Sequence, residues 1–144
     1  MRLSTRGRYA LRLMLDIALH PDEGSVSLKS IAQRQDISMK YLEQIVTPLA
    51  RSGLLRATRG AQGGYQLNRP AEEYSVGMIL RAIEGSLSPV ACVENGEAFC
   101  SRVNECVTVE VYRRIDEAID NVVDHMTLKD LVDIQHEKQK AREE

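Results

Sequence analysis

Aromatic residues are scarce in this chain: among its 144 residues there are five tyrosines, one phenylalanine and no tryptophan. Proteins that bind single-stranded nucleic acid stack the bases on aromatic side chains, so the composition disfavours that binding mode. Long apolar runs are also lacking, and the arginines of the first 12 residues are followed by an amphipathic segment ending at Pro21 instead of the apolar core of a secretory signal. We therefore expect a cytoplasmic protein without a membrane partner.

Groupings of residues typical of enzymes are missing as well. The three histidines, His20, His125 and His136, are scattered on or beside the ends of predicted helices. The sequence has no phosphate-binding loop, no serine with a paired base and no H-E-x-x-H metal motif. We therefore expect no enzymatic activity.

The small net charge of −2 hides an unequal distribution along the chain. Residues 1–69 carry 11 of the 19 Lys and Arg but five of the 21 Asp and Glu, and the remainder of each set lies in residues 70–144. A basic first half and an acidic second half favour DNA contact at one end of the molecule. Such segregation also occurs in proteins that bind no nucleic acid.

Three helices are predicted in the basic half. The first spans Tyr9–Leu19, stopped by His20 and Pro21, and follows an N-terminal arm in which Arg2 is a candidate phosphate contact or part of a solvated arm. Ser27 and Ser38 precede the other two and can cap them. Residues 33–37 suffice only for a tight turn, which predicts a helix-turn-helix.

Two small residues bear on where the last of these helices ends. Pro48 lies inside it and lacks a backbone donor, so we expect a kink or an early end there. Gly53 is the expected stop signal.

The first turns of that helix carry the candidate DNA contacts. Its apolar residues share one face, and polar residues fall on the other, because positions three and four apart lie on one side. Residues at the start of a recognition helix reach base edges in the major groove. The candidates are Ser38, Met39, Lys40, Tyr41 at the face boundary, Glu43 and Gln44. A protein-binding surface would show a similar pattern, and Glu43 either selects bases or is simply solvated.

A glycine-rich hairpin is predicted to follow. Strand-like runs at 54–58 and 65–67 flank a six-residue loop that begins with Arg59 and Gly60. Arg56 and Arg59 at its mouth suit the narrow, electronegative minor groove. A solvated hairpin is the alternative, and it accounts for the glycines but not for the arginines.

The second half is predicted to begin with a helix capped by Ser75 and ended by Gly85. A long loop over 86–105 leads into a helix over 107–125 with an apolar stripe. That stripe is buried either against its own domain or against a second copy in a two-fold dimer, which suits palindromic DNA sites. Thr127, with Asp130, caps a final short helix, and the tail from His136 is expected to fray.

Three cysteines, Cys92, Cys100 and Cys106, occupy a polar segment with the spacing C-x7-C-x5-C. An odd number without a secretory signal disfavours a disulfide framework. Thiolates that converge from a loop can bind an iron–sulfur cluster or zinc. Small buried apolar residues are the alternative, which the polar neighbours disfavour.

Three segments, MRLSTRGRYA (1–10), YLEQ (41–44) and RGAQGGY (59–65), resemble the iron–sulfur cluster regulator (IscR-type) family of bacterial winged-helix transcriptional regulators. The resemblance is close from residue 1 to the end of the hairpin, and it is looser from there to Val132. It implies a mainly α protein with a winged helix-turn-helix and two-stranded wing over 1–70. The resemblance also implies a connector helix and a cluster loop over 71–106. A dimerisation helix and a C-terminal helix follow over 107–144. The resemblance implies, in addition, a homodimer that binds palindromic promoter sites in double-stranded DNA and controls cluster-assembly genes.

The resemblance further implies a [2Fe-2S] cluster held by Cys92, Cys100 and Cys106. This sequence departs from the family in a longer first gap and in Val109, which stands where the family has a ligand histidine. The candidates for the fourth ligand are Glu94, Glu97, Glu105, Glu110, His125 and a residue of the other subunit. The alternatives keep DNA binding but use thiol oxidation, nitric oxide or zinc as the signal, or resemble the family's cysteine-metabolism repressor, which acts through a protein partner.

Overall fold

The structure, a computed structural model, describes residues 2–96 and 99–144. Its elements are helices α1 (Thr5–Leu19), α2 (Leu28–Gln35) and α3 (Met39–Arg51), strands β1 (Leu55–Thr58) and β2 (Gly64–Leu67), and helices α4 (Val76–Glu84), α5 (Ala91–Asn95), α6 (Val109–Val123) and α7 (Leu128–Glu143). The predicted fold class, mainly α with a winged helix-turn-helix, is confirmed. Within the described ranges, no helix combines the length and apolar character that crossing a membrane requires.

Helix α1 begins four residues before the predicted start at Tyr9. The Ser4 hydroxyl accepts a hydrogen bond from the Gly7 N–H at 3.1 Å and caps the helix. Residues 5–8 carry no apolar periodicity, so only the cap marks this first turn. The buried face of α1, which includes Leu13 and Met14, forms the centre of the core together with α2, α3, β1, α4 and the first turn of α7.

The predicted helix-turn-helix is confirmed. Ser27 accepts from the Ser30 N–H at 3.1 Å and Ser38 from the Tyr41 N–H at 3.2 Å, so each serine caps its helix. Between the helices, Asp36 takes a left-handed conformation with φ 53°, and Ile37 turns into the core. The short turn thereby directs the start of α3 outward.

Helix α3 runs through Pro48 to Arg51, so the expected early end is wrong, and a kink there stays a prediction. Four buried apolar residues anchor the helix to the core on both sides of the proline and compensate for the missing donor: Leu42, Ile45, Val46 and Leu49. Gly53, with φ +77°, ends the helix as predicted. Its N–H bonds Ala50 O and the Leu54 N–H bonds Leu49 O, which is a Schellman motif.

The wing is an antiparallel pair in which Leu55 faces Leu67 and Thr58 faces Gly64. Its base is fixed to the body because Val26 and Tyr65 exchange two backbone hydrogen bonds of 2.9 Å. A Cβ on Gly64 would overlap the Val26 carbonyl, so this approach requires glycine.

The C-terminal half departs from expectation in two places. The segment predicted as a loop over 86–105 contains the short helix α5. Helix α7 continues to Glu143, so the expected frayed tail from His136 is wrong. Its tail is rich in helix-forming Glu, Lys, Gln and Arg, and Lys140 and Arg142 in the last turn complement the helix dipole. The predicted caps at Ser75 and Thr127 are confirmed.

Candidate functional site

The start of α3 presents the predicted contacts on one exposed surface, which we call the reading face. Its exposed members are Ser38, Met39, Lys40, Glu43 and Gln44. The apolar face of the same helix is buried in the core. The helix therefore has one side free for a partner and the other fixed by packing.

Tyr41 is half-buried at the edge of this face. Its ring meets that of Tyr9 edge to face, with centroids 5.4 Å apart, and the Arg12 guanidinium lies 5.3 Å from the Tyr9 centroid. Arg12 also donates to the side chain of Gln35 at 3.2 Å. The structure thus brings together α1, α2 and α3 here and adds Arg12, which was not among the predicted contacts because it lies in the apolar stretch of α1.

The arginines of the wing and arm occupy different places. Arg59, with Gly60, is exposed in the loop of the wing, whereas Arg56 in β1 donates through Nε to Gln66 Oε1 at 2.9 Å. Exposed Arg2 precedes Ser4, whose N–H and hydroxyl both donate to Glu84 Oε1, the former at 3.2 Å. The arm is therefore tied to α4 two residues after Arg2.

The candidate cations of the DNA-binding surface form no ion pairs within the described residues. Across residues 2–96 and 99–144, no ion pair involves Arg2, Lys40, Arg56 or Arg59. Cations without an ion-pair partner are available for phosphate contacts, and each phosphate that they neutralise releases a counterion.

A buried polar network braces this domain. Asp16 is 1% exposed and accepts from Arg34 Nε and a terminal nitrogen at 2.7–3.2 Å and from Gln35 Nε2 at 3.0 Å. Arg34 also pairs with Glu23 at 3.0 Å. The hydrogen bonds that Arg34 donates to the Asp16 carboxylate raise the pKa of Arg34 above its ordinary value. The sequence signal was an acidic residue inside the buried stripe of α1, beside Ile17.

The three cysteines are free thiols in the segment between α4 and α6. Cys92 lies in α5 and is half-buried, Cys100 is half-buried, and Cys106 is exposed just before α6. Among the described residues no three His, Cys, Asp or Glu side chains already converge as a metal site.

The fourth-ligand candidates are dispersed. Glu97 lies outside the described residues. Glu94 and Glu105 are exposed, and Glu110 pairs with Arg113. His125 follows the C-terminal end of α6 while Cys106 precedes its start, which separates them by about 20 Å for a helix of this length.

Val109 is 1% exposed and packs in the interior. Where the resembled family has a ligand histidine, this chain thus has an apolar core residue.

Cys106 has an activated thiol. Its Sγ lies 3.2 Å from the Thr108 hydroxyl, and this hydrogen bond lowers the pKa of the Cys106 thiol below its ordinary value. The backbone N–H groups at the start of α6 act in the same direction. Because the thiolate is the form that binds metal and reacts with electrophiles, Cys106 is favoured for both.

Replacing Thr108 with valine is expected to raise the pKa of the Cys106 thiol, because the hydroxyl that stabilises the thiolate is removed while the branched shape stays. In metal-free protein, the pH at which iodoacetamide labels Cys106 at half its maximal rate should rise, since the thiolate loses a hydrogen-bond donor. Peptide mass spectrometry measures the rate at each pH. The matched control is Thr47→Val, and an unchanged midpoint for Thr108→Val would contradict the assignment.

Helix α6 carries an exposed apolar seam. Val111, Ile115 and Val122 are 55%, 43% and 62% exposed, and with Ala118 they recur at intervals of four, three and four residues. Beside the seam lies an almost wholly apolar groove of about 400 Å³, lined by Leu3, Leu80, Leu87, Ile115, Ala118, Ile119, Val122 and Val123. The other side of α6 is held to α4 by Arg81, which pairs with Asp120 at 2.8 Å and with Asp124.

The chain is similar to known proteins over most of its length. Residues 3–134 match the Rrf2 family, described as an iron-dependent transcriptional regulator. The HTH-type transcriptional regulator IscR of Pectobacterium carotovorum is 40% identical over 132 residues, 92% of this chain and 79% of that protein. CymR, the global cysteine regulator of B. subtilis, is 41% identical with a TM-score of 0.77, covering 93% of this chain and 98% of that one. IscR of T. potens is 40% identical with a TM-score of 0.77, covering 96% and 91%.

Proposed function

Because this chain belongs to the Rrf2 family of transcriptional regulators, we propose that it is a homodimer that binds palindromic promoter DNA and senses iron–sulfur cluster status. The sensor is a [2Fe-2S] cluster on Cys92, Cys100 and Cys106, and the controlled genes include those of cluster assembly. The observation that carries the proposal is the position of the cysteine segment, which ends directly at the helix with the exposed apolar seam.

DNA binding is supported by the form and charge of the first half. The reading face is exposed at the start of α3, and the wing stands beside it with Arg59 free of ion pairs within the described chain. In the proposed complex, the face enters the major groove and Arg59 the adjacent minor groove. Arg2 and Lys40 contact phosphate, and Glu43 restricts the bases that are accepted.

Dimerisation through α6 is supported by the seam. Apolar residues at alternating intervals of four and three are the spacing of helices that pair side by side. Exposed apolar side chains that line one continuous groove mark interaction sites on monomers. A second copy of α6 fills that groove in a two-fold arrangement, which places two reading faces on successive half-sites.

The donor set of the segment fits an iron–sulfur cluster. Three thiols without disulfide partners, one with a lowered pKa, supply the soft anionic ligands that iron prefers. When bound, the cluster supplies a group whose presence and redox state vary with iron and oxidant supply. The cysteines order residues 92–106 against the start of α6, which biases the angle between the two subunits and hence the DNA that both can reach.

The test is an absorption spectrum of protein purified without oxygen. We expect visible bands and about two iron and two sulfide per subunit, the composition of a [2Fe-2S] centre. A Cys92→Ser, Cys100→Ser, Cys106→Ser variant should be colourless while it still binds duplex DNA. Ser101→Ala, within the same segment, is the matched control and should keep the bands. Colourless, iron-free wild-type protein would contradict the sensor.

Replacing Arg59 with alanine is expected to weaken DNA binding about tenfold, because each wing loses a minor-groove cation. The slope of log affinity against log salt should become shallower by about one unit per wing. Fluorescence anisotropy with a duplex operator over a salt series measures both. Arg142→Ala removes the same charge near the exposed end of α7 and serves as control. Equal DNA affinity and equal salt dependence of the two variants would contradict the assignment of the wing to the DNA interface.

A second candidate keeps the DNA binding and changes the signal. The likeness to the cysteine regulator CymR and the exposed, activated Cys106 favour a thiol-based or partner-based sensor, with oxidation, nitric oxide, zinc or a bound protein as the input. Iron-free protein whose affinity for duplex DNA falls after Cys106 oxidation would support this candidate over the cluster.

A further inference from the structure

A second cleft lies away from the reading face and the cysteine segment, between the wing and α7. Its volume is about 640 Å³, within the range of roughly 300–1,000 Å³ typical of small-molecule sites. Its walls are the C-terminal end of α1, the base of the wing and the first turns of α7. Part of the lining is apolar, including Ile17, Leu67 and Val132, so the cleft can accept the body of an organic molecule.

Two arginines, Arg56 and Arg69, line this cleft. Arg56 uses Nε on Gln66, which leaves its terminal nitrogens as donors, and Arg69 lies with its guanidinium 5.5 Å from the ring centroid of Tyr74. Neither arginine forms an ion pair with any residue in 2–96 or 99–144.

Two acidic residues, Asp22 and Glu72, also line the cleft. Lys129 is paired with Asp133, which lies outside the lining. Among the described lining residues, the two arginines are therefore the cations that have no ion-pair partner and remain available to an anionic group. A planar guanidinium pairs with a carboxylate through two parallel hydrogen bonds.

We propose that this cleft binds a small organic monocarboxylate with an apolar body. The carboxylate lies between Arg56 and Arg69, and the apolar part lies along Ile17, Leu67 and Val132. Since Arg56 belongs to the wing and Val132 to α7, such a ligand bridges the two elements and holds the base of the wing against the C-terminal helix. The binding itself does not depend on the proposed iron–sulfur function.

The test is isothermal titration of the purified full chain with octanoate and with indole-3-acetate. We expect at least one of them to bind with a submillimolar Kd, and the neutral octanamide to bind at least tenfold more weakly, because charge-assisted hydrogen bonds to the arginines are lost. Acetate tests the apolar part and should also bind at least tenfold more weakly. The assay contains neither DNA nor iron, so its result is separate from that of the proposed function.

Variants locate the site. Arg56→Gln with Arg69→Gln should lower the affinity at least tenfold, whereas Arg51→Gln, an exposed arginine of α3 outside the cleft, should leave it unchanged. Thermal unfolding checks that each variant folds, and the single variants serve if the double variant does not. No binding of either carboxylate up to about 10 mM, a range that covers weak ligands, would overturn the proposal. So would undiminished binding by folded arginine variants, which would place the carboxylate elsewhere.

Discussion

Replacing Ile115 with glutamate is expected to convert the proposed dimer to a monomer in solution. Ile115 stands in the middle of the seam of α6 and lines its apolar groove. In a two-fold pairing each subunit would bury a carboxylate among apolar groups, next to its counterpart, and the cost of such burial is several kcal/mol. Size-exclusion chromatography with light scattering measures the mass.

The same substitution should weaken binding to a palindromic operator about 100-fold or more. The reading face and wing are untouched, but the second half-site no longer binds as part of the same molecule, and linked binding strengthens affinity by roughly 10²–10⁴. Binding to a single half-site should change little. Asn121→Glu adds the same charge at an exposed position of α6 outside the groove and should stay dimeric. A dimeric Ile115→Glu variant would mean that the subunits pair elsewhere.

Replacing Asp16 with alanine should lower the free energy of unfolding by about 3 kcal/mol. The buried carboxylate accepts hydrogen bonds from Arg34 and Gln35, and its removal leaves these donors without their acceptor. Loss of one partner from a buried pair costs roughly 3–5 kcal/mol. The lower end applies because the Arg34 side chain is 32% exposed and keeps Glu23 as a partner.

Urea unfolding followed by circular dichroism at 222 nm measures this change. Asp22→Ala is the matched control, because Asp22 is exposed and belongs to no ion pair in the described chain, so its effect should stay within about 0.5 kcal/mol. Asp16→Asn keeps one acceptor oxygen and should fall between the two. A loss below 1 kcal/mol for Asp16→Ala would show that the network contributes little to stability.

Four helix starts with serine or threonine caps were predictable because the relevant chemistry is local, whereas the start of α1, capped by Ser4, was predicted four residues late. Ser27, Ser38, Ser75 and Thr127 each mark a helix start by a hydrogen bond within three residues, and each start was predicted. The wing was predictable to within a residue because its strands are joined by a short glycine-rich loop. The apolar stripe of α6 was predictable from its periodicity. The periodicity does not show whether the stripe packs against its own domain or against a second copy.

Features that depend on contacts distant in sequence escaped prediction. Asp16 meets Arg34 across 18 positions, and its place in the apolar stripe of α1 indicates burial but does not identify the partner. The continuation of α3 through Pro48 depends on core packing that outweighs one missing donor. In the candidate site, residue types and spacing identified the cysteines, but whether they converge depends on how residues 92–106 fold.

The close contact at Gly64 divides the wing into a tip whose residues can be exchanged and a base whose residues cannot. Since backbone hydrogen bonds between Tyr65 and Val26 fix the base of the hairpin, residues 59–62 extend from a fixed support. Exchanging those tip residues should retune operator preference without disturbing the body. Any side chain at position 64 would instead overlap the Val26 carbonyl and displace the base of the hairpin, so within the wing we expect the proposed DNA specificity to vary through the tip.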